Sequence, residues 1–237
     1  GSDIIVSIGS LDLDARNISI SEKEVLVNSV AITDPYFSTL NYKGKFVDTT
    51  SSANDWGIVV NNIALNNGRF RMDKDDFVPD VTYFDGNHID FSKITGSATD
   101  FRMQGDTISA TVKLSAAERS GLQVKALQSA ITIQPQAYLF NDLFLQTNRS
   151  TLRRSFALKA DGPGGFNDFV HGVTMEAGFD NSVISSDDLA FFIPDARTWK
   201  KTIRINGEVS GTVDRLSSED LQVRMGNTII NGNISVI

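Results

Sequence analysis

The stretch Gly105-Asp-Thr-Ile-Ser-Ala-Thr-Val-Lys-Leu114, followed by Ser115-Ala-Ala-Glu-Arg-Ser-Gly121 and Leu122-Gln-Val-Lys-Ala-Leu-Gln-Ser-Ala-Ile-Thr-Ile133, decides the fold class. Its first run alternates, with Ile108, Ala110, Val112 and Leu114 on one face and Thr107, Ser109, Thr111 and Lys113 on the other. That is the period of a half-buried strand, whose successive side chains point to opposite faces. A second alternating run follows a short polar connector and groups Leu127, Ile131 and Ile133. A third pass, Tyr138 to Leu145, runs on into Gln146-Thr-Asn-Arg-Ser-Thr-Leu152. The unit is strand, short reversal, strand. A chain built of it makes a long sheet with one apolar face, a surface suited to binding more than to catalysis.

Outward from this core, nearly the whole chain reads as β. Strands are expected near 4–8, 16–20, 24–32, 57–65, 69–72, 88–94, 98–104, 107–114 and 124–133. Further strands are expected near 137–147, 155–159, 174–179, 202–213, 221–225 and 228–236. Asn66-Asn-Gly68, Asp85-Gly86, Gln104-Gly105-Asp106 and Gly226-Asn227 supply the positive φ angles of tight hairpins. Asn206-Gly207 and Asn231-Gly232 fit a turn or a bulge, because alternation runs through both.

Two short helices interrupt the pattern. Ser115-Ala-Ala-Glu118 has capping-box spacing, with Gly121 placed to end the turn. Ser186-Asp-Asp-Leu-Ala-Phe-Phe-Ile-Pro194 reads as an acidic helix start and roughly two turns stopped by the proline, with Leu189, Phe192 and Ile193 on one face. Such a helix would cover an end or edge of the sheet, since open edges invite aggregation. Residues 34–56 and 160–172 break the rhythm and read as long loops, or as internal boundaries within one elongated segment spanning 1–237.

Composition narrows the function classes. With 41% hydrophobic residues, the chain can bury a real core, yet no window approaches the ~18 apolar residues of a membrane helix. The net charge of −7 leaves only Arg153-Arg154 and Lys200-Lys201 as basic doublets, which argues against nucleic acid and anionic membrane surfaces. The absence of cysteine excludes disulfides and thiolate metal sites. Gly1-Ser2 reads as a cloning remnant, so a segment of a larger protein is expected.

Several motifs together carry a family resemblance. Lys113-Leu-Ser-Ala-Ala-Glu-Arg-Ser-Gly-Leu122 and Thr147-Asn-Arg-Ser-Thr-Leu152 resemble the large TamB proteins of Bacteroidetes, within the wider AsmA-like group. Asn87-His-Ile-Asp-Phe-Ser-Lys-Ile94, Ser185-Ser-Asp-Asp-Leu-Ala-Phe-Phe-Ile-Pro194 and Ile205-Asn-Gly-Glu-Val-Ser-Gly-Thr-Val213 fit the same picture. The resemblance covers roughly 85–237 and rests on turns and strand edges; it identifies no reactive group. It implies a periplasmic segment of an envelope protein, anchored in the inner membrane through a part of the parent chain absent here.

Some fifteen strands exceed the roughly ten at which an open twisted sheet curls, splits or flattens. At ~4.8 Å per strand they would extend on the order of 70 Å. Pattern alone favours a β-sandwich, or else a β-helix, with apolar faces packed together. The resemblance favours an elongated, curled, mainly antiparallel sheet forming a groove, often called a β-taco.

No reactive constellation stands out. His88 and Asp90, two apart on a strand with Asp85 upstream, would fit a metal pair or a base with its orienting acid, but neither Cys nor a nearby second His completes a site. His88 therefore reads as a surface histidine beside a hairpin. Asp73-Lys-Asp-Asp76 resembles the start of a calcium loop, but Phe77 replaces the next oxygen and no Gly follows, so a solvated loop is expected. Asp187-Asp188 reads as charge complementing a helix N-terminus. Gly162-Pro-Gly-Gly165 lacks the strand-to-helix context of a phosphate loop, Gly-x-Ser-x-Gly is absent, and the Asn-x-Ser matches at Asn17, Asn148 and Asn233 read as chance.

The expectation is thus a non-enzymatic protein without cofactor or metal. By resemblance it holds or conducts phospholipid or another acyl-chain lipid along a hydrophobic groove between the inner and outer membranes. The groove would be lined by Ile108, Val112, Leu114, Leu127, Ile131, Ile133, Ile203, Ile205, Val209, Leu221 and Val223; an ordinary closed core explains the same residues. Acyl chains would desolvate there at ~0.8 kcal/mol per methylene. The alternative from the same resemblance is a scaffold for outer-membrane protein translocation and assembly with a β-barrel partner, working by strand addition at an open edge. A carbohydrate-binding or adhesive module ranks third, because 15 Phe against 4 Tyr and 2 Trp is a poor sugar platform.

Overall fold

The computed structural model describes residues 4–41, 56–74, 82–162, 166, 169–212 and 214–236. The chain is all-β, a large, open, mixed but mostly antiparallel sheet with little helix. Its strands are β1 (Ile4–Ser7), β2 (Ser10–Ser19), β3 (Glu24–Thr33), β4 (Tyr36–Asn41), β5 (Gly57–Lys74), β6 (His88–Gln104) and β7 (Thr107–Glu118). They continue as β8 (Gln123–Gln134), β9 (Ala137–Gln146), β10 (Thr151–Ala160), β11 (Val173–Ser185), β12 (Thr202–Thr212), β13 (Arg215–Met225) and β14 (Thr228–Val236). The sheet order is β1-β4-β5-β6-β7-β8-β9-β10-β11-β12-β13-β14, with β3 also beside β5 and β2 beside β3. Among the described residues the helices are single turns: α1 (Phe169–Gly172), α2 (Ser186–Leu189) and a 3-10 turn at Pro194–Thr198.

The β-sandwich alternative is overturned. The strands form one open sheet, and within each unit they touch their sheet neighbours, with the short helical pieces against β11 and β12. Among the described residues five of the twelve buried apolar side chains are alanines: Ala110, Ala116, Ala160, Ala190 and Ala196 stand beside Val27, Val60, Leu122, Leu143, Val173, Ile205 and Leu221.

The chain divides into two compact units, residues 1–106 with 110–126 and residues 107–109 with 127–237. In the first unit, Val25-Leu-Val-Asn-Ser-Val-Ala-Ile-Thr33 of β3 lies parallel to Ile58-Val-Val-Asn-Asn-Ile-Ala-Leu-Asn66 of β5, each residue against its own counterpart. This is an internal repeat, and it continues where β4 lies parallel to residues 69–74. Asp34 and Asn67 occupy the same place in the two copies, both left-handed (φ 53° and 54°), and Asn67 Nδ2 donates to Asp34 Oδ1 at 2.6 Å. Asn66-Asn-Gly68 is therefore a bulge inside one long strand and not the expected hairpin turn. Likewise 88–94 and 98–104 are one strand, and 36–41, read as loop, is β4.

In the second unit the six strands β9 to β14 share a transverse seam of irregular residues. Asp142, Asn181 and Asp220 on alternate strands are left-handed (φ 50°, 44° and 50°), and ladder registers shift beside each. Arg154, Gly207 and Gly232 on the intervening strands also have positive φ (108°, 112° and 141°). Each extra residue re-phases the two-residue alternation, so the apolar side chains stay on one face across the seam. Asn206 Oδ1 accepts from Asn181 N at 2.7 Å, and Asn233 Oδ1 from Asp220 N at 3.1 Å, so side chains satisfy amides the ladder has released. Asn206-Gly207 and Asn231-Gly232 are accordingly not turns, whereas Gly105 and Gly226 do turn hairpins.

The helix expected at Ser115–Gly121 is strand to Glu118 and then turn. Glu118, buried, accepts from Ser120 N and Oγ at 2.7 and 2.5 Å: a carboxylate closing a hairpin imitates a capping box in sequence. The acidic start at Ser186 is helical, with Ser185 as N-cap accepting from Asp187 N. It lasts one turn, however, and Pro194 begins the 3-10 turn where it was expected to stop a helix; proline is tolerated in a first turn, where its missing N–H costs nothing.

Candidate functional site

The apolar face of the second unit can be followed by its cross-strand rows. One row runs Tyr138, Leu158, Met175, Gly211, Leu216, and the next Phe140, Phe156, Ala177, Val209, Ser218. Beyond the seam come Ser182, Ile205, Val223, Ile230 and then Ile184, Ile203, Met225, Thr228. Phe140 and Phe156 meet with ring centroids 6.2 Å apart, and Phe166 stacks on Tyr138 at 4.6 Å. At the far end an apolar cleft of about 500 Å³ is lined by Trp199, Ile203, Val223, Met225, Thr228 and Ile230, with one charged residue, Lys201. Trp199, Met225 and Ile230 are exposed here.

Of the predicted lining, the structure brings Ile203, Ile205, Val209, Leu221 and Val223 together on β12 and β13, with Ile203 and Val223 in the cleft. Ile205 and Leu221 are buried, Ile203, Val209 and Val223 half-buried. Ile108, Leu127 and Ile131 are half-buried and Ile133 exposed in the same unit; Val112 and Leu114, half-buried, belong to the first. Trp199 escaped sequence reading because its place in the cleft depends on the 186–199 connection, which has no period.

The opposite face of the second unit is polar. Lys159 Nζ contacts both Glu176 oxygens at 2.7 Å, and Arg154 reaches across Gly178 to Glu208. With Asn141, Ser155, Ser210, Ser217 and Glu219 they line a hollow of about 620 Å³.

Four of the five motifs that carried the family resemblance meet in two pairs at strand ends. In the second unit, buried Asp188 accepts from Thr147 Oγ1 at 2.5 Å and Arg149 N at 2.9 Å, while Ser185 N donates to Ser150 Oγ at 3.0 Å. Asp187, by contrast, pairs outward with Arg149 and Lys200, both at 3.4 Å. So of Asp187-Asp188, one residue does what an exposed helix start requires and the other clamps the 147–150 loop.

In the first unit His88 is not the surface residue expected: it is 2% exposed, with Nδ1 on Asp85 Oδ2 at 2.9 Å. Arg119 donates to His88 O at 2.5 Å, and its backbone N–H to Asp90 O at 3.1 Å. Arg69 grips Asp90 through Nε and Nη2 at 2.9 and 2.6 Å. That bidentate grip holds the Asp90 carboxyl below its ordinary range. At Asp85 burial pushes upward but is outweighed by hydrogen bonds from Asn87 N–H and His88 and by the Arg119 charge, so its carboxyl also lies low. This arrangement fixes a strand end. Among the described residues no group of three acidic, His or Cys side chains could hold a metal. Asp73, next to last in β5, pairs with Arg71 at 2.5 Å; residues 75 and 76 of the calcium-like run lie outside the described residues.

No helix among the described residues is long and apolar enough to cross a membrane. Comparison with protein-family models, with curated proteins and with solved structures finds no match.

Proposed function

We propose that this protein is a non-enzymatic lipid-handling segment, holding or conducting acyl chains along the apolar face of its sheet, as the TamB-like resemblance implies. The observation that carries the reading is the apolar cleft at Trp199, Ile203, Val223, Met225 and Ile230, open to solvent and edged by Lys201. Burying about eight methylenes there, at ~0.8 kcal/mol each, would contribute about 6 kcal/mol before the cost of ordering the chain. Lys201 would meet a phosphate or carboxylate at the rim. The setting proposed with this reading is the periplasm, between inner and outer membranes.

Native mass spectrometry of the purified protein, with organic extraction of whatever co-purifies, tests the reading. Phospholipid at a reproducible ratio, lost in Ile203→Asp without unfolding, supports it. A protein that ignores added phospholipid refutes it.

A second reading is a scaffold for outer-membrane protein assembly, favoured by β14. This strand pairs only with β13 among the described residues, and Ile229 and Ile230 are 56% and 49% exposed. An unpaired apolar edge is a template for strand addition. A β-strand peptide that protects β14 amides from exchange would support it.

A further inference from the structure

We infer that Arg204, Arg224 and Asn206 form an oxyanion site for a phosphate or phosphomonoester group on the polar face of the second unit. This does not rest on the acyl-chain reading, since these side chains alternate with Ile203, Ile205, Val223 and Met225 and so point away from the apolar face.

Three observations lead there. First, Arg204 and Arg224 are direct cross-strand partners. Like charges so placed have Cβ atoms only ~5 Å apart and repel. Second, nothing beside them neutralises the pair: the next residues in the ladder are Val183 on β11 and Ile229 on β14, and no carboxylate among the described residues lies within ion-pair distance of either. In the same chain, whose net charge is −7, Arg69, Arg71, Arg149, Arg154 and Arg215 each have a carboxylate within 4 Å; Arg153 and Arg197 have none among the described residues, but neither stands against a second arginine in the ladder. Third, the two arginines share a cleft of about 290 Å³ with Asn181, Asn206, Gln222 and Asn231, none of them acidic.

Asn206 sharpens the chemistry. Its Oδ1 accepts the Asn181 backbone N–H at 2.7 Å, a role only the oxygen can fill, so its NH2 group is left to donate. Two exposed guanidiniums and a fixed amide donor match a tetrahedral oxyanion, because guanidinium forks bind phosphate oxygens in pairs. The seam thus has a second consequence: the bulge that needs Asn206 as acceptor also orients it as donor.

Calorimetric titration in phosphate-free buffer at low salt tests the site with two probes, inorganic phosphate and monomeric dihexanoyl phosphatidic acid, against dihexanoyl phosphatidylcholine. Arg204→Gln and Arg224→Gln should each weaken phosphate binding about tenfold, and the double variant should abolish it. Without phosphate the single variants should melt no lower than the parent, since each relieves repulsion; a merely structural arginine would not behave so. Comparable affinity for phosphate and phosphatidic acid would assign the site to free phosphate groups. Much tighter phosphatidic acid binding, lost in the double variant, would assign it to a lipid phosphate. Binding unchanged in the double variant, or no binding of either probe at about 10 mM, where even a weak millimolar site would be mostly filled, overturns the inference.

Discussion

Replacing Gly207 by alanine should cost the second unit far more than its half-buried position suggests. Gly207 has φ 112°, and a Cβ built there lies 2.9 Å from Asp220 O and 3.0 Å from Leu221 Cα, backbone atoms of β13 that cannot swing aside. Conformations this far into positive φ cost about 1–3 kcal/mol for a residue with a side chain. Relieving the contacts requires β12 and β13 to part at the seam, which loosens the Asn206 cap on Asn181 and the packing of Ile205 and Leu221, so about 3 kcal/mol or more is expected in total. Gly226→Ala is the internal control. It too has positive φ (60°), but nothing lies within 4 Å, so it should cost only about 1–2 kcal/mol. Urea unfolding of both variants, with hydrogen exchange to locate the loss on β11 to β13, measures the difference. A Gly207→Ala loss no larger than that of Gly226→Ala would refute the reasoning, because the seam would then tolerate a side chain against the β13 backbone.

Other outcomes follow from the strand-end clamps and the cleft. Asp188→Ala removes the acceptor of Thr147 Oγ1 and Arg149 N and should destabilise by about 3 kcal/mol, with Asp187→Ala within about 0.5 kcal/mol of the parent, by the same urea assay. Asp90 and Asp85 have folded-state pKa values below their unfolded ones, so the stability they contribute is complete above about pH 4 and is lost as pH falls through the folded values. Arg69→Gln should flatten the Asp90 part of that acid dependence, measured as midpoint against pH; the effect is modest because Arg69 is half exposed. Ile203→Asp should weaken binding of a fluorescent fatty acid at least tenfold while unfolding at nearly the parent urea concentration, and an unchanged titration would remove the cleft from the site.

The amino-acid order by itself determined that the chain is β. Period-two alternation at Ile108–Leu114 and Leu127–Ile133 is a local property, and so are the Gly105 and Gly226 turns. The apolar face of β12 and β13 was legible for the same reason: Ile203, Ile205, Val209, Leu221 and Val223 mark it without knowledge of any partner strand. Sequence could not separate Asn66-Asn-Gly68 or Asn206-Gly207 from hairpin turns, because a left-handed residue in a bulge and one in a turn have the same local chemistry. Only pairing with a third strand distinguishes them. His88 and Glu118 looked like surface and helix residues because their burial depends on Asp85, Arg119 and Ser120 closing the strand ends. The match of β3 to β5 was present in the letters, yet it became evident only as a parallel register, each residue beside its counterpart. Whether the apolar face was covered was likewise a tertiary decision. Alternation fixes which side chains share a face, whereas a second layer packed on that face depends on contacts between strands far apart in sequence, and in the cleft of the second unit Trp199, Met225 and Ile230 stay exposed.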